Sequence, residues 1–321
     1  MSDTAFAAAR PPGARVGAAG LPPSPIDPAR TVRSEDSSTS KRLSELGELE
    51  LVRELAARGL AERIDDDAAL LEGGVVVTQD ALVEGVHFRL DWTSWHDLGY
   101  KAAAVNVSDL AASAARPEAL LVALCLPAAT PFERVLELYE GIAETGVPVR
   151  GGDTTAAPAL TLSVTAVGRS ERVPGRGGAR PGDLVVVTGP LGGAGAGFRA
   201  LAEGRRDDPA ARRHLRPPLR VAEGAALGRV ATAMLDVSDG LAADAARIAA
   251  ASGCRLAIDL GAVPRLGELE DLGFGEDYEL LATTPDPLGF PVIGRVEEGA
   301  GVELTLDGRR VELGGWEHFR T

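Results

Sequence analysis

Aromatic residues are scarce in this chain: 3 Trp, 3 Tyr and 7 Phe amount to 4% of 321 residues. A core of ordinary size must therefore be packed with Ala, Val and Leu. Cysteine is scarcer still, with Cys125 and Cys254 far apart and each among apolar neighbours. No disulfide framework and no zinc-ligand spacing can be built from them. Basic charge is also short. Against 47 Asp and Glu stand 33 Lys and Arg, a net charge of −14. That excludes the basic footprint of a nonspecific nucleic-acid binder. It also means that a phosphate-bearing ligand needs metal ions or local arginines to be accepted. No apolar run is long enough to span a membrane, and Arg10-Pro11-Pro12 interrupts the early alanine run where a signal peptide would need a continuous core. A cytoplasmic location is the default expectation.

What is present suits a globular protein of two α/β domains. Residues 1–43, rich in Ala, Pro, Gly and Ser, read as a disordered tail. A first domain over 44–169 is expected to run α-β-β-α-β-α-β. Its helices are predicted from Ser44 to Gly59, over 95–115 and over 131–145. Its strands are predicted over 70–77, 82–88, 119–126 and 160–167, with Asp80 linking the first two. A Gly/Arg/Pro-rich connection, 170–182, opens the second domain, 170–321. There 183–188 reads as a buried strand running into the glycine-rich turn 189–197. Such a turn can cradle phosphate or serve packing; it lacks the GxxxxGK[ST] lysine and does not match GxGxxG.

Carboxylates recur in one setting. Asp66, Asp80, Asp109, Asp153, Asp236 and Asp239 each stand beside an apolar element, in company with small or hydroxyl residues such as Thr78, Ser108, Thr154 and Ser238. The pattern predicts that they converge. Two carboxylates about 4 Å apart repel by about 4 kcal/mol at an effective dielectric of about 20. A cluster of them calls for a cation, and oxygen ligands select Mg²⁺ or Ca²⁺. Arg176 is either a surface charge or a partner for a nucleotide phosphate, and Trp316 is either core or a platform for a flat ring.

The motifs Asp66-Asp67-Ala68-Ala69, Thr78-Gln79-Asp80 with His87-Phe88, and the run from Lys101 to Asp109 stand in order along the chain. They are followed by Gly151-Gly152-Asp153, Arg216-Pro217-Pro218-Leu219-Arg220, Asp236-Val237-Ser238-Asp239-Gly240, Gly275-Glu276-Asp277-Tyr278-Glu279 and a Trp316…Phe319 ending. Together they resemble the thiamine-monophosphate kinases, within the superfamily of aminoimidazole ribonucleotide synthetase. The resemblance implies an N-terminal α/β domain that binds metal and ATP and dimerises through its sheet. It implies a C-terminal α/β domain that completes the ATP and substrate site of a homodimer. It implies transfer from ATP to thiamine phosphate, with Mg²⁺ as cofactor. Carried over, Asp66, Thr78, Gln79, Asp80, Asp109, Asp153, Asp236 and Asp239 are the expected metal positions. Asp80, Asp109 and Asp239 are the expected catalytic centre. Gly152, Asp153, Arg176 and Ser238 are expected at the nucleotide, and His87, Glu276 and Trp316 at thiamine phosphate. Three positions depart from the family pattern: Asp65 stands for Gly, Gln79 for Thr, and Leu219 for Pro. Two other activities fit the acidic cluster alone: an ATP-dependent enzyme acting on an amide or carbonyl oxygen, and a metal-binding protein without catalysis.

Overall fold

In a computed structural model, residues 42–316 are described apart from Arg63 and Asp65. The expectations for the tail up to residue 41, for Asp65 and for Phe319 fall outside the described residues. The first predicted helix is broken in two, α1 (Leu43–Leu46) and α2 (Glu48–Ala57), because Gly47 between them takes a left-handed φ of 77°. The two strands predicted either side of Asp80 are also redrawn. The chain turns at Gly73 and Gly74, both at φ 74°, between β1 (Ala69–Leu71) and β2 (Val75–Val83). β2 then runs straight through Asp80. Its alternation buries Val76, Thr78 and Leu82 on one face and sends Gln79 to the other.

Helix α3 (Trp95–Ala112) starts on Ser94, whose hydroxyl accepts from Asp97 N at 3.0 Å. Then come β3 (Arg116–Leu126), α4 (Phe132–Ala143), β4 (Val149–Ala156) and β5 (Thr161–Arg169). β4 was not foreseen, since its Gly-Gly-Asp reads as a turn; parallel pairing with β3 from Leu120 to Leu126 holds it extended. The five strands order as β1-β2-β5-β3-β4. α3 lies across one face of this sheet, and its small residues Ala102, Ala103 and Val105 are buried there. α4 packs on α3 at backbone distance. A Cβ on Gly99 would sit 1.8 Å from Leu138 O, and one on Gly141 would sit 1.9 Å from His96 O. Only glycine fits at either point.

The second half begins with β6 (Leu184–Val187), α5 (Gly193–Ala202), α6 (Pro209–Leu215) and α7 (Val221–Leu227). It continues with β7 (Ala233–Asp236), α8 (Leu241–Ser252), β8 (Arg255–Asp259) and β9 (Leu280–Thr284). β10 (Val292–Glu297), β11 (Gly301–Leu306) and β12 (Arg309–Arg310) complete it. The strands form a seven-stranded mixed sheet ordered β12-β11-β8-β10-β6-β9-β7. α3 also belongs to this half: Ala111 and Ala112 at its end share an apolar cluster with Leu227, Met234 and Leu280. The helix bearing Asp109 is thereby set between the two sheets, and β7 delivers Asp236 beside it.

Candidate functional site

Four segments meet where α3 nears its C-terminus. The loop before β1 brings Asp66 and Asp67, β2 brings Thr78 and Asp80, α3 brings Asp109, and the end of β7 brings Asp236, Ser238 and Asp239. All of these residues line one cavity of about 860 Å³. Asp67, Asp109 and Asp236 each offer a carboxylate oxygen within 4.8 Å of the others. Hydroxyls fix two of them: Thr78 Oγ1 donates to Asp109 Oδ2 at 2.6 Å, and Ser108 Oγ donates to Asp236 Oδ2 at 2.5 Å. Asn106, also on α3, accepts from Asp80 N at 3.1 Å and so ties β2 to the helix. The donor set is hard oxygen throughout, which fits Mg²⁺.

The electrostatics are those of a site built for cations. Burial raises the pKa of Asp67, Asp109 and Asp236, and neighbouring carboxylates add to it. Asp80 is pushed up to about 6 by burial and by the charges of Asp67 and Asp239. Two arginines offset part of this charge. Arg176 donates to Asp67 at 2.5 Å. Arg247, on α8, bridges Asp239 and Asp244. Arg247 escaped the sequence reading, although an acidic residue three positions before it on a helix was a usable signal. Its hold on Asp239 explains why that carboxylate stands apart from the triad.

A carboxylate of raised pKa binds its proton more readily in the folded than in the unfolded chain. Metal-free stability therefore falls as pH rises from about 4 through about 6. Melting with a chelator present is expected to give a higher Tm at pH 5.5 than at pH 7.5. Added Mg²⁺ should raise Tm more at pH 7.5, where the ligands are ionised. A chelated protein that gains stability over that interval would contradict the arrangement.

The acidic loop 276–279 gives every residue a separate task. Glu276 turns towards Lys101, 3.0 Å away. Asp277 accepts from Gly192 N at 2.6 Å and Ala194 N at 3.0 Å. The glycine-rich turn before α5 thus cradles the chain's own carboxylate. Tyr278 lines the cavity. Glu279 is buried under Arg220, Arg213 and Thr188.

His87, Arg176, Ser238, Glu276 and Trp316 all reach the cavity. His87 Nδ1 accepts from Val83 N at 3.1 Å, and Trp316 N donates to Asp239 O at 3.0 Å. The Gln79 side chain does not point inward: it bonds to Ser163 and Thr165 on the opposite face of the sheet. Gly152 and Asp153 do not line the cavity. They lie on β4, three strands from β2, about 14 Å at ordinary strand spacing. Asp67 joins the triad where Asp66 was expected; Asp66 lines the same cavity. Sequence reading expected Trp316 at the substrate but missed the aromatic cluster of Trp92, Phe198 and Phe274. All three line the cavity, as do Phe88, Tyr278 and Trp316, and the Phe198 and Phe274 rings are 5.0 Å apart. Trp92, Phe198 and Phe274 are far apart in the chain and form no motif.

Comparisons with known proteins agree with this construction. Residues 65–170 match the family model "AIR synthase related protein, N-terminal domain", and residues 180–307 match its C-terminal counterpart. The thiamine-monophosphate kinase of Aquifex aeolicus is 36% identical, over 87% of this chain and 100% of its own. That of Escherichia coli K12 is also 36% identical, over 86% and 99%. A solved structure, AaThiL complexed with AMPPCP and TMP, superimposes with a TM-score of 0.81 at 36% identity, covering 88% of this chain and all of that one. With both halves of the fold matched and the identity sustained across nearly the whole of its relatives, the chain belongs to the thiamine-monophosphate kinase family.

Proposed function

We propose that the chain phosphorylates thiamine phosphate to thiamine diphosphate with ATP, by direct in-line transfer. The observation that carries this is a single cavity lined both by a carboxylate triad and, beside Glu276, by aromatic rings. The carboxylates suit metal-bound phosphates, the rings a flat heteroaromatic substrate. Relatives named thiamine-monophosphate kinase, and a solved neighbour complexed with AMPPCP and TMP, support the reading.

Asp67, Asp80, Asp109 and Asp236, with Asp66 and Asp239 beside them, would hold Mg²⁺. The ion supplies positive charge to the polyphosphate where a protein of net charge −14 otherwise repels it. The acceptor oxygen of thiamine phosphate is already ionised at neutral pH. It forms a bond to the γ-phosphorus while the bond to the β–γ bridging oxygen breaks and ADP departs. An acceptor that is already ionised needs no strong general base. We assign Arg176 and Ser238 to the nucleotide, and His87, Glu276 and Trp316 to thiamine phosphate; all five line the cavity.

We also read 44–169 as the metal-binding and dimerisation domain, 170–321 as the domain that completes the site, and the protein as a cytoplasmic homodimer. Among the described residues, no helix is long and apolar enough to cross a membrane. The sheet face away from α3, with Leu121 41% exposed, and the open edge β4 support self-pairing. Gly152 and Asp153 lie on that edge, so pairing is the route by which they would serve a nucleotide site.

Initial rates of ADP release with ATP and Mg²⁺ test the substrate assignment. Release should depend on thiamine phosphate, with thiamine a poor substitute. ADP formed equally without either would move the function to another acceptor.

A further inference from the structure

Glu276 carries an asymmetry at the aromatic end of the cavity. Lys101 Nζ lies 3.0 Å from its Oε2, and His214 Nδ1 lies 3.1 Å from the same atom. His214 Nδ1 makes no hydrogen bond among the described residues, so Lys101 is the donor that fixes Oε2. Among the described residues Oε1 has no such partner, and Glu276 lines the cavity. Glu276 takes a left-handed φ of 56°, uncommon for a side chain of its size. Its backbone N is held at that turn by Ser238 O at 2.8 Å.

The choice of lysine is informative. Lys41 and Lys101 are the only lysines among 33 basic residues. The remaining cations are arginines, whose planar fork commonly engages both oxygens of a carboxylate, as Arg220 does at Glu279. A compact ammonium can take one oxygen and leave the other. Lys101 is 2% exposed, and its stem leaves α3 between Leu98 and Ala102, both buried. His214 is braced by the rings of Phe198 and Phe274, with centroids at 5.6 and 6.0 Å. The clamp is therefore built from rigid elements on both sides.

We propose that Lys101 is a positioning residue for the transfer reaction: it ties down Oε2 of Glu276 so that Oε1 is presented to an N–H donor of the heteroaromatic substrate. Lys101 itself touches no substrate. The proposal rests on the reading of Glu276 as a substrate contact.

The test is a double-mutant cycle of Lys101→Met and Glu276→Gln in the full-length enzyme. Apparent KM would be measured separately for thiamine phosphate and for ATP, with melting temperatures recorded for each variant. Each single variant should raise the KM for thiamine phosphate by about tenfold or more and leave that for ATP within about twofold. The double variant should match E276Q, because Lys101 acts through Glu276. If E276Q raises the KM and K101M does not, the positioning role is wrong. If the two effects multiply in the double variant, Lys101 acts on its own and the proposal is likewise overturned. If E276Q leaves the KM unchanged, Glu276 is not a substrate contact, and the error lies in that earlier reading. K101M strips a half-buried carboxylate of its counter-charge; if it does not fold, the double variant removes both charges, and a KM for thiamine phosphate above that of E276Q alone overturns the proposal.

Discussion

Replacing Asp109 with Asn should lower kcat by about three orders of magnitude, corresponding to about 4 kcal/mol of transition-state stabilisation. Asp109 is a member of the triad: its oxygen is within 4.8 Å of those of Asp67 and Asp236, and Thr78 donates a hydrogen bond to it at 2.6 Å. An amide presents one neutral oxygen in place of a charge and weakens any divalent cation held there. The same substitution should stabilise the metal-free fold. Burial and the charges of Asp80, Asp236 and Asp67 already oppose ionisation of Asp109, so removing the charge relieves that opposition. Loss of activity together with a raised Tm in chelator is the signature of a site that holds like charges together for function. Steady-state rates over a Mg²⁺ titration, with melting curves beside them, measure both. A variant with unchanged activity and unchanged Mg²⁺ dependence would remove the triad from the account.

Glu279→Gln should be the most damaging substitution for stability outside the carboxylate cluster. The Glu279 side chain is fully buried. Arg220 donates to both of its oxygens, at 2.6 and 2.7 Å; Arg213 adds a contact at 3.0 Å and Thr188 another at 2.7 Å. A neutral amide leaves two guanidinium groups short of their counter-charge, a loss of about 3–5 kcal/mol for a broken buried pair. The expected fall in Tm is on the order of 10 °C. The metal ligands themselves are untouched, so activity measured well below the new Tm should fall much less than in D109N. Thermal melts and rates at 25 °C separate the two effects. A Tm within about 2 °C of the parent would show that this network does not bind α7 and the 276–279 loop together.

Much of this was legible in the sequence, in proportion to how local the signal was. The convergence of Asp80, Asp109 and Asp236 could be expected because each stands beside a short apolar element that had to be buried. The start of α3 near residue 95 was equally local. β4 was hidden because Gly151-Gly152-Asp153 has the composition of a turn, and only its pairing with β3 makes it a strand. Asp277 shows the reverse. The turn it caps has the composition of a phosphate cradle, and its occupant comes from more than 80 residues further on. Long-range charge pairing, as at Lys101–Glu276 and Arg176–Asp67, leaves no periodic trace in the chain. The choice between Asp66 and Asp67 was beyond sequence for a related reason. Adjacent residues point in different directions, and only the packing of the loop on β2 selects one for the triad.

The most direct test of the central claim follows the γ-phosphoryl group. The enzyme would be incubated with γ-³²P-labelled ATP and thiamine phosphate, once with Mg²⁺ and once with a chelator, and the products separated. Label in thiamine diphosphate, equal in amount to the ADP formed and absent with the chelator, is the predicted result. Label released as inorganic phosphate, or transferred just as well without a divalent cation, would contradict it.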